Sequence, residues 1–160
     1  MESSEILGRT LKGRGETIAV AETTTGGLIS SKIVAVPGSS VYFDQGIVAY
    51  SRTSKIDTLG LDSAVLDEFG AVSAQAAKAL AEAVRSISGT TYGLAETGIA
   101  GPILGRSPKP VGTAYIALAG PKGTLVSEVG LHGSRETIRA GIAEKALDFA
   151  VVSLDAMAAG

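Results

Sequence analysis

The sequence holds no cysteine and a single histidine among its 160 residues. Without cysteine there is no disulfide, no thiolate nucleophile and no sulfur-ligated metal. His132 alone is a poor start for a histidine zinc site, so no metal and no cofactor is expected. Basic clusters are also missing. Fourteen Lys and Arg stand against sixteen Asp and Glu, for a net charge of −2. The electrostatic footprint of a nucleic-acid binder is absent, and direct nucleic-acid binding is not expected. Aromatic residues make up 4% of the chain, and its four tyrosines form no stacking platform. Charged or polar residues interrupt every apolar run before it reaches a membrane-spanning length. Residues 1–5, Met-Glu-Ser-Ser-Glu, are too acidic for a signal peptide. The expectation is a soluble, cytoplasmic protein with no membrane partner.

What is present is apolar content of 45% and 21 glycines. The glycines lie between apolar runs and are not clustered with Ser and Pro. They read as tight junctions between strands and helices, not as a flexible linker. The length suits one domain with one sizeable core, spanning residues 1–160.

A first helix is expected from a Ser3 or Ser4 cap to about Lys12, stopped by residues 13–15. Residues 17–22 form a near-continuous apolar run, as in a strand covered on both faces. A helix follows, with Thr25 as its cap and Leu28, Ile29, Ile33 and Val34 turned inward. Residues 41–50 read as a strand, and 53–59 and 62–69 as short helices. The clearest helix is 74–87, alanine-rich with a stripe at Ala77, Leu80, Ala81 and Val84. Residues 90–95 form another apolar strand. Residues 111–119 and 125–131 read as an antiparallel hairpin. A long last helix begins near Gly133, with Ile138, Ile142, Ala146, Phe149 and Val152 on its core face. Strands separated by helices predict an α/β fold, a three-layer α/β/α domain whose mixed sheet joins a parallel core to an antiparallel hairpin.

Two glycine turns follow strands directly: Ala21-Glu22-Thr23-Thr24-Thr25-Gly26-Gly27 and Glu96-Thr97-Gly98-Ile99-Ala100-Gly101-Pro102. In open sheets, ligands sit beyond the carboxyl ends of parallel strands, so both turns could border one pocket. The first offers hydroxyls, backbone N–H groups and the start of a helix, which suits an anion or a developing oxyanion. It equally suits a plain helix cap. It lacks the Gly-x-x-x-x-Gly-Lys frame of a Walker-type nucleotide hydrolase.

Lys55 is the second candidate. Folded over the rim and partly desolvated, it would be a neutral amine able to take a proton from a hydroxyl. A hydroxyl paired with such a lysine makes an acyl-transfer nucleophile without histidine. Left in solvent, it would be an ordinary surface charge. Tyr50 lies on the same segment. Thr97 and Gly98 could supply donors, or simply form a tight strand exit. Arg135, near the start of the last helix, could hold a carboxylate or phosphate, or pair with Glu136. Glu22 and Glu96 could do acid–base work, but holding turns by accepting N–H groups is the favoured reading.

With these residues in place, the chain resembles the CinA C-terminal domain family, whose enzymes are nicotinamide-nucleotide amidases (PncC-like). The segments that carry the likeness are residues 21–27, Pro37-Gly38-Ser39-Ser40, Tyr50-Ser51 with Lys55, Gly70-Ala71-Val72-Ser73, Thr97 to Pro102, and Lys109-Pro110-Val111-Gly112-Thr113. The resemblance implies hydrolysis of the carboxamide of nicotinamide mononucleotide, giving nicotinic acid mononucleotide and ammonia, in pyridine-nucleotide salvage. It implies a serine nucleophile, a lysine base, no metal and a homo-oligomer. Lys55 takes the lysine position and Tyr50 a nearby site position. Thr97 and Arg135 match positions for substrate binding and catalysis. Read from the residues themselves, the amides of the Thr25, Gly26 and Gly27 turn would hold the oxyanion, and Gly98 would join the substrate-binding set.

The family pattern reads Ala-Glu-Ser-Cys-Thr-Gly-Gly where this chain has Thr23 and Thr24. Threonine keeps the hydroxyl but adds a methyl that restricts rotation and crowds the approach. Residues 103–107, Ile-Leu-Gly-Arg-Ser, replace a glycine-rich acidic loop. Glu96 stands where a small or apolar residue is more common. Two readings therefore stay open: an amidase with Thr23 as nucleophile, and a catalytically silent nucleotide-binding or assembly module.

Overall fold

The computed structural model describes residues 1–158. Five strands form one sheet in the order β2-β1-β3-β4-β5. The strands are β1 (Ile18–Glu22), β2 (Phe43–Val48), β3 (Tyr92–Gly98), β4 (Thr113–Gly120) and β5 (Gly123–Gly130). The first three are mutually parallel, and β4 and β5 complete the sheet as an antiparallel hairpin. Helices α1 (Ser3–Arg14), α2 (Leu28–Val34) and α6 (Arg135–Ala158) cover one face. Helices α3 (Arg52–Asp57), α4 (Ser63–Phe69) and α5 (Ala74–Ser88) cover the other. The α/β, three-layer, mixed-sheet architecture read from the sequence is the one observed. Among the described residues no helix is long and apolar enough to cross a membrane.

The sheet faces follow the two-residue alternation of a strand. In β1, Ile18 and Val20 pack toward Leu7, Leu11, Ile29 and Leu147, whereas Ala19 and Ala21 pack toward Leu80, Ala81 and Val84. The second face is alanine-rich, so α5 approaches closely. Gly93 marks that approach: a Cβ there would collide with the Ala81 carbonyl and the Arg85 backbone. The central strands are buried on both faces, which is why they read as continuous apolar runs.

Helix ends depart from the expectations. Glu2, not Ser3 or Ser4, caps α1, in a reciprocal capping box with Glu5. Gly27, not Thr25, is the N-cap residue of α2. Val34 and Val152 face outward, at 55% and 68% exposure. Leu147, Ala150 and Leu154 complete the core face of α6 instead. Strand β3 runs through Gly98, three residues past its expected end, because β4 continues to pair with it as far as Gly98 opposite Ala114.

Candidate active site

Ala21 of β1 lies in register with Ala95 of β3, so Glu22 and Glu96 stand side by side where the pairing of these two strands ends. Both are fully buried. Each is held by donors from the first glycine turn. Glu22 Oε1 accepts from the N–H groups of Gly27 (3.1 Å) and Ile29 (2.9 Å) and lies 2.6 Å from the Thr25 hydroxyl. Glu22 Oε2 accepts from Ser30 N–H at 2.9 Å. Glu96 Oε1 accepts from the N–H groups of Thr23 (2.7 Å) and Thr25 (3.0 Å), and lies 2.8 Å from the Thr25 hydroxyl. Turn-holding, the reading favoured from sequence, is the role seen for both acids.

The two glycine turns are also stitched to each other. The Thr23 hydroxyl donates to the Glu96 carbonyl at 3.1 Å. The Thr24 hydroxyl donates to the Gly98 carbonyl (2.8 Å) and accepts from Gly98 N–H (3.0 Å). From α6, Arg139 donates to the carbonyls of Thr24 (2.9 Å) and Thr25 (3.0 Å). Sequence reasoning missed Arg139. The available signal was its spacing: it stands four residues after Arg135, on the same helix face.

Beyond these turns lies a cavity of about 770 Å³. Thr23, Thr24, Tyr50, Lys55, Thr97, Gly98 and Arg135 all line it. Lys55 comes from α3, whose N-cap Ser51 accepts from Ser54 N–H. It is 7% exposed, and among the described residues no acidic group lies within ion-pair distance of its amine. Burial lowers its pKa from 10.5, and a negative charge on Glu96 would act the other way. Thr97 is buried and donates to the Ala71 carbonyl at 2.6 Å, tying β3 to the segment before α5. Arg135 crosses the mouth, donating to the Gly101 carbonyl (2.8 Å) and the Tyr50 hydroxyl (3.3 Å). Among the ion pairs of the described residues, none joins Arg135 to Glu136.

Three expected binding residues lie outside the cavity lining. Thr25, Gly26 and Gly27 belong to the part of the turn that does not face the cavity, and the N–H groups of Thr25 and Gly27 are occupied by carboxylates. A ligand in the cavity therefore cannot use those two donors. The Gly98 N–H is likewise engaged, by Thr24. In the first turn the Thr24 and Gly26 N–H groups have no partner among the described residues, and of these two residues only Thr24 borders the cavity.

The cavity is cationic in an acidic protein. Arg52, Lys55, Arg106, Lys109 and Arg135 line it, against one acid, Asp67. Asp67 pairs with Arg52 at 2.8 Å.

The profile of the CinA C-terminal domain family matches residues 1–154. The chain belongs to that family. It is 47% identical over 135 residues to a CinA-like protein of Geotalea uraniireducens, covering 84% of this chain and 32% of that protein. It is 46% identical over 143 residues to a CinA-like protein of Geobacter sulfurreducens, covering 89% and 35%. The chain thus spans about a third of the length of these curated relatives. Its fold superimposes on the competence/damage inducible protein CihA of Agrobacterium tumefaciens with a TM-score of 0.86, at 34% identity over 97% of both chains. The competence damage-inducible protein A of Klebsiella pneumoniae gives a TM-score of 0.92 at 25% identity, over 97% of this chain and 98% of that one.

Proposed function

We propose that this CinA-family domain hydrolyses a linear carboxamide on a phosphorylated nucleoside, with nicotinamide mononucleotide as substrate and nicotinic acid mononucleotide and ammonia as products. The observation that carries the reading is the cavity shared by Thr23 and a buried Lys55 that has no ion-pair partner among the described residues. Thr23 Oγ1 attacks the amide carbon as the Lys55 amine takes the hydroxyl proton. The C–N bond then breaks, and the lysine returns that proton to the departing ammonia. Water enters by the same route to free the acid. The Thr24 N–H, without a partner among the described residues and directly after the nucleophile in the chain, would serve as the oxyanion donor. The cationic mouth supports an anionic substrate, with Arg135 and Tyr50 at its edge.

The chain is further read as a homo-oligomer acting in the cytoplasm. Support for assembly comes from the edge strands: β2 and β5 end the sheet, with Val48, Leu125 and Val126 exposed.

A second reading is a nucleotide-binding module without turnover. It is favoured by Thr23 itself, which is 3% exposed and donates its hydroxyl to Glu96. The two readings part on one assay. Purified protein with nicotinamide mononucleotide releases ammonia if the first holds, and Lys55→Ala abolishes release. Relief of crowding in Thr23→Ser raises kcat by roughly 10- to 100-fold with KM little changed. Tight binding by calorimetry, with no ammonia from either the native chain or Thr23→Ser, selects the silent module.

A further inference from the structure

The Thr25 hydroxyl poses a proton-counting problem. It lies 2.6 Å from Glu22 Oε1 and 2.8 Å from Glu96 Oε1. Both are hydrogen-bond distances, and an oxygen–oxygen contact this short needs a proton between the atoms. A hydroxyl has one proton: it points at one of the two oxygens, and sharing it between both would weaken each contact, whereas both are short. If both acids were ionised, the other contact would be bare oxygen against bare oxygen, in a site sealed from water. A second proton, held by a carboxyl group, accounts for both short contacts at once.

The donors decide which carboxyl holds it. Glu22 accepts three backbone N–H groups spread over both of its oxygens, the set that stabilises a carboxylate. Glu96 accepts two, both on Oε1. Glu96 Oε2 is buried and has no partner among the described residues. A bare carboxylate oxygen in that position is costly to bury, and a neutral acid much less so. The ionisable groups facing the cluster are Glu22 from β1, Lys55 from α3 and Arg139 from α6. Arg139 is directed at the Thr24 and Thr25 carbonyls, and Lys55 makes no ion pair.

We propose that Glu96 is held as a neutral carboxylic acid at neutral pH, sharing a two-proton chain with Thr25 and the Glu22 carboxylate. In that state it is a positioning residue. It fixes the backbone of Thr23 and Thr25 from below and places no anion beneath the Lys55 amine. An ionised Glu96 would instead favour the protonated lysine. Burial pushes the Glu96 carboxyl above its usual range, against the opposing hydrogen bonds of Thr25 and Thr23. The inference does not rest on amide hydrolysis. It holds equally for a domain that only binds.

The test reads protons and not turnover. Site-resolved carboxyl ¹³C NMR of the native chain at neutral pH should find Glu96 at the chemical shift of a protonated acid and Glu22 at that of a carboxylate. In parallel, infrared difference spectra of native protein against Glu96→Gln should show one carboxylic C=O band at neutral pH, lost in the variant. Solvated Asp and Glu are ionised there and contribute none. A Glu96 resonance at the carboxylate shift overturns the proposal, as does a native spectrum without the band. A band that survives in Glu96→Gln assigns the proton elsewhere and also overturns it. The native-chain measurements need no variant to fold.

Discussion

Lys55 is the residue whose chemistry depends most on its surroundings. As a base it must be neutral, and burial lowers its pKa from 10.5. The ascending limb of kcat/KM against pH should therefore fall below pH 10.5, at the lysine's own pKa, with the rate rising as protons leave. A limb at the solvated-lysine value would remove the amine from the base role. Stability follows the same linkage. Folding depresses this pKa, so the folded state binds fewer protons than the unfolded one between the two values, and native stability rises with pH across that window. Thr23, Lys55, Tyr50, Thr97 and Arg135 were legible as site candidates because their residue types and their places after strands suggest chemistry. The roles of Thr25, Gly26 and Gly27 were not. What occupies the Thr25 N–H is a carboxylate 71 residues away on β3, and nothing local to the turn announces it. Arg139 was hidden for a related reason: it acts on carbonyls of a turn 114 and 115 residues distant.

At the scale of elements, α2 shows how a short helix is secured without a local cap. Gly27 occupies the N-cap at a φ of 109° and makes no side-chain cap hydrogen bond. A left-handed conformation of this kind suits glycine alone. The Gly27, Ile29 and Ser30 N–H groups go instead to Glu22, the last residue of β1. Strand end and helix start are thus one unit, and the unit carries Thr23. Glu22→Ala should leave three donors unmet, one buried and two part-buried, and cost about 2–4 kcal/mol. Urea unfolding reads the loss, and a midpoint within error of the native one would show that water replaces the carboxylate. Whole elements were legible from period and punctuation. The helix at 74–87 was placed within a residue of α5 because its alanine and leucine stripe has one period throughout. Boundaries were less legible where tertiary partners set them. The reach of β3 to Gly98 depends on pairing with β4, and the outward turn of Val152 depends on which α6 stripe meets the sheet.

The molecule as a whole carries net charge −2, yet its cavity collects cations. Setting aside the Arg52–Asp67 pair and the Lys55 amine, three remain around it: Arg106, Lys109 and Arg135. Composition gave no sign of this, because a total says nothing of where charge gathers after folding. Lys109 and Arg135 have structural partners: Lys109 reaches the Val72 carbonyl and lies 5.5 Å from the Tyr115 ring centre, while Arg135 holds Gly101 and Tyr50. Arg106 is exposed, and among the described residues no acid lies within ion-pair distance of it. Its contribution is therefore field, not architecture. A cavity lined by one sign of charge concentrates the opposite sign at its mouth. Arg106→Glu should raise KM for nicotinamide mononucleotide roughly tenfold at low salt, through slower capture, and leave kcat within about twofold. Raising salt to about 1 M, where screening acts over ~3 Å, should close the gap between variant and native chain. Steady-state kinetics at both salt levels separate the cases. A KM difference that persists at high salt would mean that Arg106 touches the ligand directly. An unchanged KM at low salt would mean that substrate enters by another side of the cavity.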